Sequence, residues 1–275
     1  MRHFLFIGLL MLTYFAGVKK AYAESSMKDQ EAESEFADSI KNIFTEVNGH
    51  EVFISFPIHE SNKHIFPVVM GIHGSGREAR SYMPGDKKSV DFYIHQRDLA
   101  LQNGYMFVVL SNGIDTWGTD EGLRNLKDLY DFIQSNYRVQ KKWVLWATSA
   151  GGILMNRLIR EYPNLVRKAL GTFPVYDIAD SMNRSNGAKK VWSSEKEKLQ
   201  DINPSRYPEA LTLVPFLIFH GKDDQIVPPK FHSEIFKKEV NSQGGDVTLY
   251  LVSGGHSTSN WNVYDENIIT DFLQP

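Results

Sequence analysis

Three side chains far apart in the sequence have the chemistry of a nucleophile, a base and an acid. Ser149 lies in Trp143-Val144-Leu145-Trp146-Ala147-Thr148-Ser149-Ala150-Gly151-Gly152, where an apolar strand-like run gives way to a helix-like one. A serine on such a turn is held in a strained conformation that projects its hydroxyl clear of the chain. The turn packs strand and helix so closely that the residues two before and two after must be small. They are Ala147 and Gly151. The helix starting there points partial positive charge at any negative charge that develops on the substrate. His256 follows the apolar run Val247–Val252, in Ser253-Gly254-Gly255-His256-Ser257. An imidazole beside a serine hydroxyl takes its proton and passes it to the leaving group, and a carboxylate holds the required tautomer. Asp223 and Asp224, in the loop 220–228, are the two candidates for that carboxylate.

The reaction also needs N–H donors about 3 Å from the oxygen that becomes negative. Ala150 N–H, next to the nucleophile, is one. The turn His73-Gly74-Ser75-Gly76 offers the second, with Ser75 N–H preferred and Gly76 next. His73 is expected to support that loop rather than to act as a base. Trp117, in the loop 112–122, is a candidate substrate contact, and Trp192 and Met182 are candidates for a lid. None of the nine histidines stands at a metal-binding spacing. No phosphate loop or dinucleotide turn is present, and no cofactor or metal is expected, because a serine, a base and an acid suffice.

These residues need a scaffold that brings them to one edge. Short apolar runs at 51–58, 67–72, 105–110, 143–147, 169–175, 215–220 and 247–252 read as strands, most of them buried on both faces. Helical patterns fall between them at 90–103, 121–137, 151–162, 230–242 and 260–273. In the second, Leu123, Leu126, Leu129, Tyr130 and Ile133 keep i, i+3, i+4 spacing. The alternation predicts a three-layer α/β domain over residues 43–275, with a mostly parallel central sheet flanked by helices. The polar stretch 177–213 is too long for a turn and reads as an insertion after the sixth strand. In such sheets ligands bind beyond the carboxyl ends of the strands, where each candidate side chain lies.

Composition sets the outer bounds. With 30 Lys+Arg against 33 Asp+Glu, the chain has no basic excess to hold a nucleic acid. It has no cysteine, which excludes disulfides, thiolate metal sites and a cysteine nucleophile. The run Phe4–Val18 is apolar and is followed by Ala21-Tyr22-Ala23, the small-x-small pattern of a signal-peptidase site. Fifteen helical residues span about 22 Å, short of the ~30 Å bilayer core. Residues 1–23 are therefore expected to be a cleaved signal, leaving a secreted or periplasmic protein with no membrane anchor. Residues 24–42 are expected to be an acidic lead-in.

Ser149-Ala150-Gly151-Gly152, Tyr162-Pro163-Asn164-Leu165, the block His220–Pro228 and Gly255-His256 together resemble the α/β-hydrolase superfamily over residues 50–273. The flavour is similar to secreted esterases related to polyhydroxyalkanoate depolymerases and feruloyl esterases. The segment Asn203–Pro215 running into His220-Gly221 is similar to prolyl-oligopeptidase-type hydrolases. The resemblance implies the chain order Ser, Asp, His and an acid three residues before Val-Pro, which selects Asp224. Ala147 stands where the family usually has glycine, and the cysteines of many secreted relatives are missing. The expected activity is hydrolysis of a carboxylic ester through an acyl-enzyme on Ser149, with Asp224 and His256 as the base system. A peptidase of this fold usually draws its selectivity from an added domain, for which this chain has no room, so an ester is expected over a peptide bond. A serine peptidase of the prolyl-oligopeptidase type and a non-catalytic binding module on the same fold are the alternatives.

Overall fold

The structure, a computed structural model, describes residues 35–36, 39–58, 65–259 and 261–274. The predicted export segment lies outside the described residues. By their contacts the described residues fall into two units that divide between Lys41 and Asn42. In the first, Ser39 N–H donates to the carbonyls of Glu35 and Phe36. The second holds the candidate residues and the helices and strands that carry them.

Eight strands form one sheet: β1 (Ile40–Val47), β2 (His50–Pro57), β3 (Val68–Ile72), β4 (Met106–Leu110), β5 (Trp143–Thr148), β6 (Val166–Thr172), β7 (Phe216–Gly221) and β8 (Val247–Val252). Their order is β1-β2-β4-β3-β5-β6-β7-β8. β2 runs antiparallel to β4, and every pairing from β4 to β8 is parallel. Between them lie α1 (Asp91–Gln102), α2 (Asp120–Asn136), α3 (Gly151–Glu161), α4 (Ile178–Arg184), α5 (Asn186–Trp192) and α6 (Ser233–Ser242), and α7 (Glu266–Leu273) follows β8. This is the three-layer α/β architecture that the alternation of runs predicts, with the insertion after the sixth strand.

Period-two alternation in the central strands fills both faces. Val68, Met70 and Ile72 of β3 join Leu145 of β5 and Ile218 of β7 on one side, under Leu126, Leu129 and Ile133 of α2 and Leu158 of α3. Val69, Val144, Trp146, Leu170 and Phe219 face the other side, against Phe92 of α1 and Ile269 and Leu273 of α7. A sheet covered twice has little freedom of register, because a one-residue slip would move every core side chain to the opposite face. The in-register pairs Gly71↔Trp146, Ala147↔Gly171 and Gly171↔Ile218 therefore bring the ends of β3, β5, β6 and β7 to one edge.

Several boundaries differ from the sequence reading. β1 has no counterpart there, although Asn48-Gly49, at φ 50° and 84°, is the two-residue turn that joins it to β2. The strand expected over 169–175 is Val166–Thr172. Arg167 and Lys168 hide its start, because the Lys168 ammonium reaches past the sheet to donate to the carbonyls of Phe272 and Gln274. Phe173 has φ 39° and leaves the ladder. The helix expected over 260–273 is regular only from Glu266, where the Asp265 carboxylate caps the N–H groups of Asn267 and Ile268. The one expected over 230–242 starts at Ser233.

The insertion folds as α4, α5 and a series of one- to two-turn helical segments up to Leu213. Its apolar residues Ile178, Ala188, Trp192 and Ile202 pack with Trp117, Ala150, Ile153 and Val227. It therefore rests on the same sheet edge as the candidate chemistry.

Candidate active site

Ser149 sits between the end of β5 and the start of α3 with φ 52°, the left-handed region that a serine rarely adopts. Its neighbours hold it there. Ser149 N–H donates to Thr172 O at 3.1 Å, and Ser149 O accepts from Gly152 N–H and Val175 N–H, both at 2.9 Å. The requirement for a small residue two positions on is visible: a Cβ on Gly151 would lie 2.4 Å from Ile72 O and 2.8 Å from His73 O. β3 and α3 touch at that point, and Ala147 is fully buried on the other flank.

The structure brings the three predicted side chains together. Ser149 Oγ lies 2.9 Å from His256 Nε2, and His256 Nδ1 lies 2.7 Å from Asp224 Oδ2. A carboxylate can only accept, so Nδ1 carries the proton and Nε2 faces the serine hydroxyl as the acceptor. Asp223 is exposed, so geometry selects Asp224. Asp224 Oδ1 accepts from the N–H groups of Ile226 (2.9 Å) and Val227 (2.8 Å). Burial pushes its carboxyl up, but hydrogen bonds from His220, His256 and the backbone outweigh that and hold it well below the usual carboxylate range. The loop of His256 is seated on the end of β7, where a Cβ on Gly221 would lie 2.5 Å from Gly254 O.

The turn after β3 meets the nucleophile from the other side. Gly74 N–H donates to the Tyr93 hydroxyl, and Arg77 N–H closes the turn onto Gly74 O. Among the described residues, neither Ser75 N–H nor Ala150 N–H has an acceptor, so both are free to serve a substrate oxygen. His73 is buried and accepts from Asn112 N–H at Nε2 while Nδ1–H donates to Gly74 O. A ring nitrogen that accepts from an N–H carries no proton, so His73 is a neutral strut for the loop, and burial lowers its pKa in the same sense.

Trp117 does not line the site. It is 3% exposed, its indole N–H donates to Ser75 Oγ at 3.1 Å, and its carbonyl accepts from Trp192 Nε1 at 3.0 Å. The expected substrate contact is a buried brace between the insertion and the Ser75 turn, because α5 covers the face that a ligand would have used. Trp192 is buried with it.

A pocket of about 140 Å³ opens over Ser149, lined among others by Ser75, Arg77, Tyr93, Phe173 and His256. Sequence reading missed three residues of the site, two in the pocket wall and one behind Asp224. Phe173 sets its ring 4.5 Å from the His256 imidazole, edge-on. Tyr93 comes from α1, which no motif marks. His220 is fully buried, with Nε2 3.2 Å from Asp224 Oδ2 and 2.7 Å from Val227 O. Only its place at the end of a buried strand, four residues before the acid, signalled it.

A parallel sheet that gathers a strained serine, a histidine and a carboxylate from the ends of β5, β8 and β7 defines an α/β-hydrolase. Within that class the chain belongs to the prolyl oligopeptidase family, whose model matches residues 113–274. A search of curated proteins finds no match. Among solved structures the chain is similar to Pyrococcus horikoshii acylaminoacyl peptidase, at TM-score 0.68 and 14% identity over 86% of this chain and 41% of that one. It thus spans about two fifths of that peptidase. It is also similar to S-formylglutathione hydrolase of Staphylococcus aureus, at TM-score 0.66 and 14% identity over 85% of this chain and 95% of that one. An esterase of Pyrococcus furiosus matches at TM-score 0.63 and 14% identity, over 87% of this chain and 94% of that one.

Proposed function

We propose that this serine hydrolase cleaves carboxylic esters through an acyl-enzyme on Ser149. The unbroken line Ser149 Oγ to His256 Nε2 to Asp224 carries the reading. Ser149 Oγ attacks the ester carbonyl as His256 takes its proton, and the tetrahedral oxyanion is held by Ser75 N–H and Ala150 N–H. Its collapse breaks the ester bond while His256 returns the proton to the departing alcohol. Water, activated by the same imidazole, then releases the acid and frees Ser149. Asp224 stabilises the imidazolium and keeps its tautomer.

Two observations support an ester over a peptide bond. The pocket over Ser149 is small, and the chain spans nearly all of the esterase and of S-formylglutathione hydrolase. The family match favours peptide hydrolysis as the second reading. Short p-nitrophenyl esters compared with aminoacyl anilides separate the two: turnover of esters alone supports ours, and faster turnover of anilides overturns it. Ser149→Ala should lower kcat on the preferred ester by about 10⁴-fold or more, since the three side chains act as a unit. Export is part of the proposal, and the N-terminus of the protein recovered outside the cytoplasm should be Glu24.

A further inference from the structure

Arg77 differs from most arginines of this chain. Arg80, Arg97, Arg124, Arg157, Arg160 and Arg184 each meet a carboxylate. Arg77 meets none among the described residues. The acids around this stretch of chain are engaged elsewhere: Glu78, next to Arg77 in sequence, pairs with Lys88 at 2.6 Å, and Glu51 and Asp86 pair with Arg80 at 2.9 and 3.1 Å. Arg77 lines the pocket over Ser149. It is fixed on the same turn as Ser75 by its N–H bond to Gly74 O, and its charge acts on the buried Tyr93 hydroxyl that also borders the pocket. Among the described residues, the rest of the lining holds no acidic side chain, and Asp224 lies buried behind His256.

A guanidinium left without a counter-ion beside a reacting carbonyl favours substrates that bring their own negative charge. Its planar fork fits a carboxylate with two parallel N–H···O bonds. Resting on the ester-hydrolase reading, we propose that the substrate is an ester whose acyl part carries a second, free carboxylate, a monoester of a short dicarboxylic acid, bound through Arg77. The free carboxylate docks on the guanidinium, the ester carbonyl sits over Ser149 between the two N–H donors, and the alcohol leaves toward solvent.

The test pairs p-nitrophenyl hydrogen glutarate with p-nitrophenyl pentanoate, which has the same acyl chain length and no charge. Wild-type enzyme should favour the glutarate by about tenfold or more in kcat/KM, mostly through KM, and salt should erode the preference. Arg77→Gln should remove the preference, and Arg77→Lys should keep part of it because the charge survives without the fork. A preference that is absent, or that survives in Arg77→Gln, overturns the proposal while Ser149-dependent turnover of pentanoate leaves the ester-hydrolase reading intact. Calorimetry with glutarate itself gives a readout independent of turnover. Binding to wild type and to Ser149→Ala, weakened in Arg77→Gln, supports the anion site even with no ester hydrolysed, in which case only the hydrolase reading falls. No saturable binding together with no preference sinks the anion site.

Discussion

At the scale of single residues, the site depends on groups whose hydrogen bonds are nearly all accounted for. Asp224 shows this best. One oxygen is held by two backbone N–H groups and the other faces two histidines. Asp224→Asn keeps an acceptor for Ile226 and Val227, so the loop should keep its shape. It removes the charge that stabilises the imidazolium and lets the imidazole take the wrong tautomer. We expect kcat to fall by roughly 10⁴-fold with little change in near-UV circular dichroism. A loss below tenfold would show that Asp224 is not the partner of His256. The places of Ser149 and His256, and of the two turns proposed to carry the oxyanion donors, were legible in the sequence because each is tied to residue type and to position after a strand. Asp224 was legible only through family resemblance, since two adjacent acids look alike until one is buried. His220 and Phe173 were not legible, because a buried histidine and a phenylalanine have no signature until something packs on them.

Between elements, the insertion and the sheet edge are linked through Trp117. Gly187, near the start of α5, lies so close that a Cβ there would be 2.5 Å from Trp117 Nε1 and 3.1 Å from Ser75 Oγ. Alanine is the better helix former, so Gly187→Ala should not weaken α5 by propensity. It should instead push the indole off Ser75 and displace the turn that carries a proposed oxyanion donor. Losing one such donor costs about 10² to 10³ in rate. A partial displacement should lower kcat by roughly ten- to a hundredfold, with KM changed less than threefold. Trp117→Phe, which keeps a ring and loses the N–H, should act in the same direction. Wild-type kcat in both variants would uncouple the insertion from the site. The insertion was legible as a polar stretch of excess length. Its two short helices and their seat on Trp117 were not, because seven-residue helices carry little periodicity and draw their stability from packing.

For the molecule as a whole, acid stability follows from groups that folding keeps from protonating. His232 is fully buried. Its Nδ1 accepts from Tyr176 N–H and Asp177 N–H, and its Nε2–H donates to Asp180. Burial, only partly offset by Asp180, lowers its pKa from 6.5 to about 4. The unfolded chain therefore binds a proton between pH 6.5 and about 4 that the folded chain refuses, so stability falls through that window as the pH drops. The loss is on the order of 3 kcal/mol, at about 1.4 kcal/mol per pH unit. Asp224 extends the decline: its folded pKa is depressed, so its contribution is present above the unfolded value of about 3.9 and is lost below it. Denaturant midpoints measured from pH 7 to 4 should fall steadily. His232→Asn, which keeps a backbone acceptor and cannot titrate, should flatten that slope by about one proton. An unchanged slope would mean that His232 is not the group responsible.

The sequence alone determined the layered α/β class, the places of Ser149 and His256, and the turns beside them. Each is a local statement, written in hydrophobic period, in small residues where backbones meet, and in the residues that come directly after a strand. Tertiary structure alone decided which side chains stand behind the reacting ones, that Trp117 is a brace and not a wall of the pocket, and that Arg77, without a carboxylate partner among the described residues, lines the pocket that holds Ser149. Those outcomes depend on burial and on which distant segments approach within a few ångströms. Such distances come from the packing of the whole sheet edge, and no window of the chain contains them.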